Sequence, residues 1–172
     1  PLSGYSAILV SYDFNNGTNQ ASTTNPALAS VTDFVPTSSL NNVNRPVIYP
    51  TSGGQGWTGA PSSETADSTA NAVTQNDYYA FTVTATAGTV LNLTRISFGT
   101  AYYHVSSAAS VTGTYALRSS IGSYQTDVGT SFAENHVVTS SPAFTAREID
   151  LSASQYQNLS TITFRIYLSD NS

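Results

Sequence analysis

Period-two alternation runs through most of this chain. Tyr79, Phe81, Val83 and Ala85 share one face of a segment whose other face carries Tyr78, Ala80, Thr82, Thr84 and Thr86. Such alternation marks a strand with one face buried. The β-branched and aromatic residues in it suit a pleated, half-buried surface. Thr86-Ala87-Gly88-Thr89 reads as a tight turn in which Gly88 takes a positive φ. Leu91 and Leu93, then Ile96 and Phe98, continue beyond it. The alternation slips by one residue at Thr94-Arg95, and a slip of one turns every later side chain to the opposite face. That slip predicts a β-bulge or a change of partner strand. Asp77 to Thr100 is therefore expected to form a central hairpin on which the remaining strands pack.

The rest of the chain repeats the pattern in shorter pieces. Ile8, Val10, Tyr12 and Phe14 alternate and end at Asn15-Asn16-Gly17, a strong turn signal. Val31 to Val35 predicts a second strand closed by Pro36. Residues 37–76 are rich in Gly, Pro, Ser and Thr and read as irregular, with room for a short strand at Trp57. A loop of that length is commonly functional. Thr114 to Ser120 sets Tyr115 and Leu117 against Ala116 and Arg118, and Ile121 to Tyr124 turns the chain. Phe144 to Leu151 is a strand with Arg147, Ile149 and Leu151 on one side. Ser152 to Asn158 has room for one helical turn. Thr161 to Leu168 points Ile162, Phe164, Ile166 and Leu168 one way and Thr163, Arg165 and Tyr167 the other. No helical period longer than a turn and no internal repeat is visible. The expectation is one all-β domain over residues 1–172, a two-sheet antiparallel β-sandwich of the jelly-roll type.

Composition narrows the function. The 172 residues suffice to bury about 70% of the unfolded surface, so the fold needs no staples. The absence of Cys removes disulfides, thiolate zinc sites and Cys nucleophiles together. Charged residues are 9% of the chain, against about 25% in ordinary domains. The cations are all arginines, Arg45, Arg95, Arg118, Arg147 and Arg165, and they are scattered. With a net charge of −5 they argue against nucleic acid, whose phosphates demand clustered cations. No run approaches the roughly 18 apolar residues of a membrane span. The opening PLSGYSAILV is too short and too uncharged to read as a complete signal peptide. Acceptor sequons at Asn16, Asn92 and Asn158 matter only in a glycosylating host.

The succession YDFNNGT, a Gly-Trp loop, YYAFTVTATAGTVLNLTRISF, GTYALRSSIGSY and a closing EIDLS…LSTITFRIYL looks like a recurring β-sandwich region of exported bacterial proteins. Many of these carry a C-terminal sorting tail of the PEP-CTERM type. The likeness spans nearly the whole chain, and Tyr78 to Phe98, Thr114 to Ser120 and Thr163 to Tyr167 are its most specific parts. It implies export to the cell surface or beyond, and a jelly-roll sandwich, more firmly than any activity. The sorting tail is missing from this sequence, and a last strand is expected after Asp170.

Candidate chemistry is sparse. Glu148 and Asp150 fall on one strand face about 7 Å apart, a separation used by inverting glycosidases. The simpler alternative is a solvated strand face. His104 and His136 have no nearby nucleophile elbow, and no catalytic constellation is visible. The sequence therefore reads as non-catalytic. Asp13, Asn15 and Asn16 follow the first strand and Asp170 follows the last. If those strands lie side by side, the oxygens converge into a structural Ca²⁺ site; an ordinary Asn-Gly turn is the alternative. Trp57, Tyr78, Tyr102, Tyr103, Tyr124 and Tyr167 fall on outward parities or in loops, and Arg118 and Arg165 on outward parities of strands expected to be neighbours. Aromatic rings stack on the C–H faces of sugars, and arginines donate to hydroxyls or acids. The alternative has Trp57 filling the core and the tyrosines lining strand faces. The reading is a secreted carbohydrate-binding module, with a strand-edge adhesive or filament subunit as its rival and a glycan-active enzyme third. A monomer is expected if the N-terminal strand covers Thr161 to Leu168, and an open edge if it does not.

Overall fold

A computed structural model describes residues 7–12, 20–26, 29–37, 68–102, 112–135 and 144–170, together with the backbone of 41–49 and 54–60. It is an all-β fold of antiparallel sheets packed face to face. The largest sheet has six strands: β3 (Ala29–Val31), β4 (Val35–Pro36), β7 (Tyr78–Ala85), β9 (Thr112–Ser119), β10 (Phe132–Asn135) and β12 (Thr161–Asp170). Their order is β10-β9-β12-β7-β3, and β4 also pairs with β7. Two-stranded ribbons are formed by β1 (Val10–Ser11) with β2 (Thr23–Thr24), by β5 (Asn41–Tyr49) with β6 (Gly54–Ala60), and by β8 (Arg95–Thr100) with β11 (Thr145–Asp150).

Alternation along the strands fills the space between the layers. Tyr79, Phe81 and Val83 of β7, Leu117 of β9, and Ile162, Phe164, Ile166 and Leu168 of β12 point inward and are buried. They meet Ile149 of β11, the adjoining Leu151, and Leu91 and Leu93, which precede β8. Tyr12 and Phe34 close one end, with Phe34 stacked on Tyr79 at 5.3 Å between ring centroids and Tyr12 edge-on to Phe81 at 5.5 Å. Burial, then the nearby Asp33 charge, raises the Tyr12 phenol well above its ordinary range, so it donates to the Thr32 carbonyl as a neutral group.

Several sequence expectations are corrected here. The turn after β7 exists, with Gly88 at φ 84° and Thr89 N–H donating to the Thr86 carbonyl at 2.9 Å. The hairpin does not. β7 pairs with β12 from Tyr78↔Tyr167 to Thr84↔Thr161, whereas β8 pairs with β11. Between them the chain crosses to the opposite layer. Leu91 bridges Leu159, and the Gln157 amide donates to the carbonyls of Leu93 and Leu151. Of the two explanations for the slip at Thr94-Arg95, the change of partner holds. The expected strand 31–35 is instead two short strands: Thr32 still donates its N–H to the Thr82 carbonyl, and Asp33 and Phe34 then leave the pairing as Phe34 enters the core. Residues 37–76 are also less irregular than expected. They hold the β5–β6 hairpin, whose register shifts between Asn44 and Val47, where Pro46 has no N–H to offer a ladder. They also hold a helix, α1 (Thr69–Gln75), with Ser68 as its N-cap and Asn76, at φ 63°, as its C-cap. The expected helical turn after Ser152 is a 3₁₀ turn, Ser154–Tyr156.

β12 is not an edge. β7 flanks it on one side and β9 on the other, over Phe164↔Ser119 to Asp170↔Gly113. The N-terminal strand does not cover it; β1 pairs with β2 instead. The edge that would have been left open without the N-terminal strand is therefore closed by β7 and β9. Among the described residues no helix is long and apolar enough to cross a membrane.

Candidate functional site

The outward face of the six-stranded sheet is built row by row. Across β7, β12 and β9 the rows are Tyr78–Tyr167–Ala116 and Ala80–Arg165–Arg118. Two further rows pair Thr82 with Thr163 and Thr84 with Thr161. The first row lies under α1. Ala72, which has no exposed surface, packs on Ala116 and Tyr167, with Val73 and Tyr78 beside them. The small Ala116 side chain leaves room for Tyr167 beneath the helix. Tyr167 is 1% exposed and meets Tyr78 edge-on at 5.1 Å. This corrects its expected role as an outward stacking surface: a helix too short to show a period covers it.

The second row carries the chemistry. Ala80 stands directly opposite Arg165, so the Arg165 side chain has space to lean over the sheet. Its guanidinium lies 4.3 Å from the centroid of the Tyr78 ring and 3.6 Å from that of Tyr124. Nη1 donates to the Tyr167 hydroxyl at 3.2 Å, and Nε is buried without a partner among the described residues. Desolvation pulls the Arg165 pKa down, but the Tyr167 hydrogen bond and the phenol oxygens of Tyr167, Tyr78 and Tyr124 outweigh it and leave it raised. The cation is thus held, half-buried, between two aromatic rings.

Arg118 holds the upper ring in place. Its Nε donates to Asp127 Oδ1 at 2.7 Å and its Nη1 to the Tyr124 carbonyl at 2.9 Å. Tyr124 follows the 3₁₀ turn Ser120–Gly122. Ser123 and Tyr124 both sit in the left-handed region, at φ 51° and 60°. For a bulky residue this is an outlier that persists only where surrounding contacts enforce it. Those contacts are Tyr124 N–H to the Ser119 carbonyl at 3.0 Å, Gln125 N–H to the Gly122 carbonyl at 3.0 Å, and the Arg118 bond. Beyond Arg165 the same face continues into two hydroxyl pairs, Thr82–Thr163 at 2.8 Å and Thr84–Thr161 at 3.0 Å.

Arg118, Tyr124, Arg165 and Tyr167 of the predicted ligand set are therefore brought together, with Tyr78 as the lower ring. Tyr102 is separate; its ring packs over Gly113. Trp57 belongs to β6 and Asp170 to β12, both described here by backbone alone. Tyr103, Asp13, Asn15, Asn16, His104 and His136 lie outside the described residues, so the calcium expectation falls there too. Among the described residues no three His, Asp or Glu side chains gather around a metal-sized space. Glu148 and Asp150 share an exposed face, as expected, but each has a local partner. Glu148 pairs with Arg95 at 3.4 Å. Asp150 accepts from the Ser152 N–H and then the Ser152 hydroxyl, which lower its pKa. A glycosidase acid needs the opposite shift. Asp127 went unnoticed in the sequence, where a lone Asp in a turn carries no signal of its partner. A shallow, largely apolar groove of about 310 Å³ lies elsewhere, at Phe98, Phe144 and Arg147, and its cation is already paired with Glu134.

No family model, curated protein or solved structure matches this chain.

Proposed function

We propose that this chain is an extracellular, non-catalytic carbohydrate-binding module. Its glycan lies across the outer face of the six-stranded sheet at Tyr124 and Arg165. The observation that supports this reading is Arg165 itself. Its guanidinium is held between Tyr78 and Tyr124 without a carboxylate partner among the described residues. Edge positions of such a cage offer ring C–H surface and N–H donors together, the two features a sugar uses. Paired threonine hydroxyls extend the polar surface beyond it. Export rests on the resemblance and on the low-charge, Ser/Thr-rich composition. The chain is expected to act as a monomer, since β12 is already paired on both sides.

Affinity gel electrophoresis through a panel of neutral and acidic polysaccharides tests the reading. At least one polymer should retard the wild-type chain, and Tyr124→Ala should migrate freely through it. Retardation by none, or retardation unchanged in Tyr124→Ala, removes this face as a glycan site.

A further inference from the structure

We infer that the outer face selects an acidic polysaccharide, with a uronate carboxylate seated on the edge of Arg165. This rests on the glycan-binding reading and narrows it.

Three arginines with described side chains each face a carboxylate: Arg95 with Glu148, Arg118 with Asp127 and Arg147 with Glu134. Arg165 is the exception among the described residues, in a chain whose net charge of −5 leaves carboxylates in excess. Arg118, directly across the strand pair, adds no compensation, since its own charge is answered by Asp127. Among the described residues, this face therefore carries one positive charge with no carboxylate opposite it.

The donors that remain are specific in direction. A guanidinium has five N–H bonds in a fixed plane. Nε is buried, one Nη1 hydrogen goes to Tyr167, and the Tyr78 and Tyr124 rings lie 4.3 and 3.6 Å from the guanidinium carbon. What is left is the second Nη1 hydrogen and the two on Nη2, so the Nη1–Nη2 end of the fork has one N–H from each nitrogen to offer. Two parallel N–H bonds from such an edge match the two oxygens of a carboxylate. Ring stacking fixes the plane before the ligand arrives, so little freedom is lost on binding.

The surroundings favour a sugar acid over an acidic peptide. Two and four residues along β12 from Arg165 stand Thr163 and Thr161, hydrogen-bonded to Thr82 and Thr84. Each step is about 7 Å along the strand. Hydroxyls that both donate and accept suit a chain of sugar hydroxyls leading away from the acid.

The test compares polygalacturonate with the same polymer after carboxyl reduction, in about 0.15 M salt where the Debye length is ~8 Å. Dextran sulfate and polyglutamate serve as further arms. The wild-type chain should bind the polyuronate at least about tenfold more tightly than the reduced polymer, the sulfate or the peptide, as a charge-assisted pair of hydrogen bonds implies. Arg165→Gln should erase the preference. If that variant fails to fold, the wild-type comparison decides alone. Equal binding of polyuronate and reduced polymer, both lost in Tyr124→Ala, overturns the carboxylate seat and leaves the glycan reading standing. Equal binding of dextran sulfate or polyglutamate overturns the uronate assignment. Binding of no polymer removes both.

Discussion

Arg118 and Arg165 face each other directly across β9 and β12. Like charges in that position destabilise a sheet when nothing separates them. Here the two cations are turned to different partners. Arg118 reaches Asp127 and the Tyr124 carbonyl, and Arg165 leans to Tyr78 under the Tyr124 ring. One arginine fixes the turn that roofs the other. The left-handed backbone at Ser123 and Tyr124 is the conformational cost of that arrangement.

The Tyr124 ring and its backbone can be separated by two substitutions. Tyr124→Ala loses a cation–π contact worth about 0.5–2 kcal/mol and keeps the left-handed strain. Tyr124→Gly loses the same contact but relieves about 1–2 kcal/mol of that strain. Urea unfolding should rank the glycine variant about 1 kcal/mol above the alanine variant. Both should lose glycan retention alike. A glycine variant that still binds would take the ring out of the site.

Two ion pairs involving the β8–β11 ribbon should behave unequally: Arg95–Glu148 lies within it, and Arg147–Glu134 links it to β10. Glu134 accepts from Arg147, Thr100 and Thr145, and the side chains of Arg147 and Glu134 are only 21% and 12% exposed. Glu134→Ala strands a half-buried cation and should cost about 3 kcal/mol. Arg95 and Glu148 are each 61% exposed, so Glu148→Ala should cost less than about 1 kcal/mol. Chemical denaturation of the two variants side by side checks the ranking.

Ala72 is the contact by which α1 is held on Tyr167 and Ala116. Ala72→Leu overpacks it, at about 1–3 kcal/mol, and lifts the helix from the sheet. Because Tyr167 also accepts from Arg165, glycan binding should weaken in the same variant. A melting temperature equal to wild type would show that the helix is not seated as described.

Gly113 lies under the Tyr102 ring, and a Cβ there would stand 2.5 Å from Tyr102 Cδ2 and 2.7 Å from Cγ. The clash is with the root of the ring, which cannot swing aside cheaply. Gly113→Ala should therefore cost about 1–3 kcal/mol. Adding Tyr102→Ala should return part of that loss, in a double-mutant cycle by thermal melting.

The faces of the strands were legible in the sequence because side-chain direction alternates strictly. Tyr79, Phe81 and Val83, and Ile162, Phe164, Ile166 and Leu168, lie inward as the pattern required. Partners were not legible, since alternation fixes a face and not a neighbour; hence β7 joins β12, 77 to 89 residues further along by register, rather than β8. The helix was hidden because seven residues complete barely two turns and bury a single side chain, Ala72. Only its caps, Ser68 and Asn76, signalled it. In the site, strand parity put Arg118 and Arg165 on the outward face, and their strands are the neighbours they were expected to be. The burial of Tyr167 and the role of Asp127 did not, because each depends on a contact made through the fold.

On the proposed function, ligand sits at Arg165 on the outer sheet face. Proton–nitrogen NMR during titration with soluble acidic, then neutral, oligosaccharides tests it most directly, because the Arg165 Nε–H has no partner to mask its response. Saturable shifts of the Arg165 Nε–H, with the amides of Tyr124 and Thr163, are predicted. Shifts confined to the β5–β6 hairpin around Trp57, or none that saturate, would contradict the account.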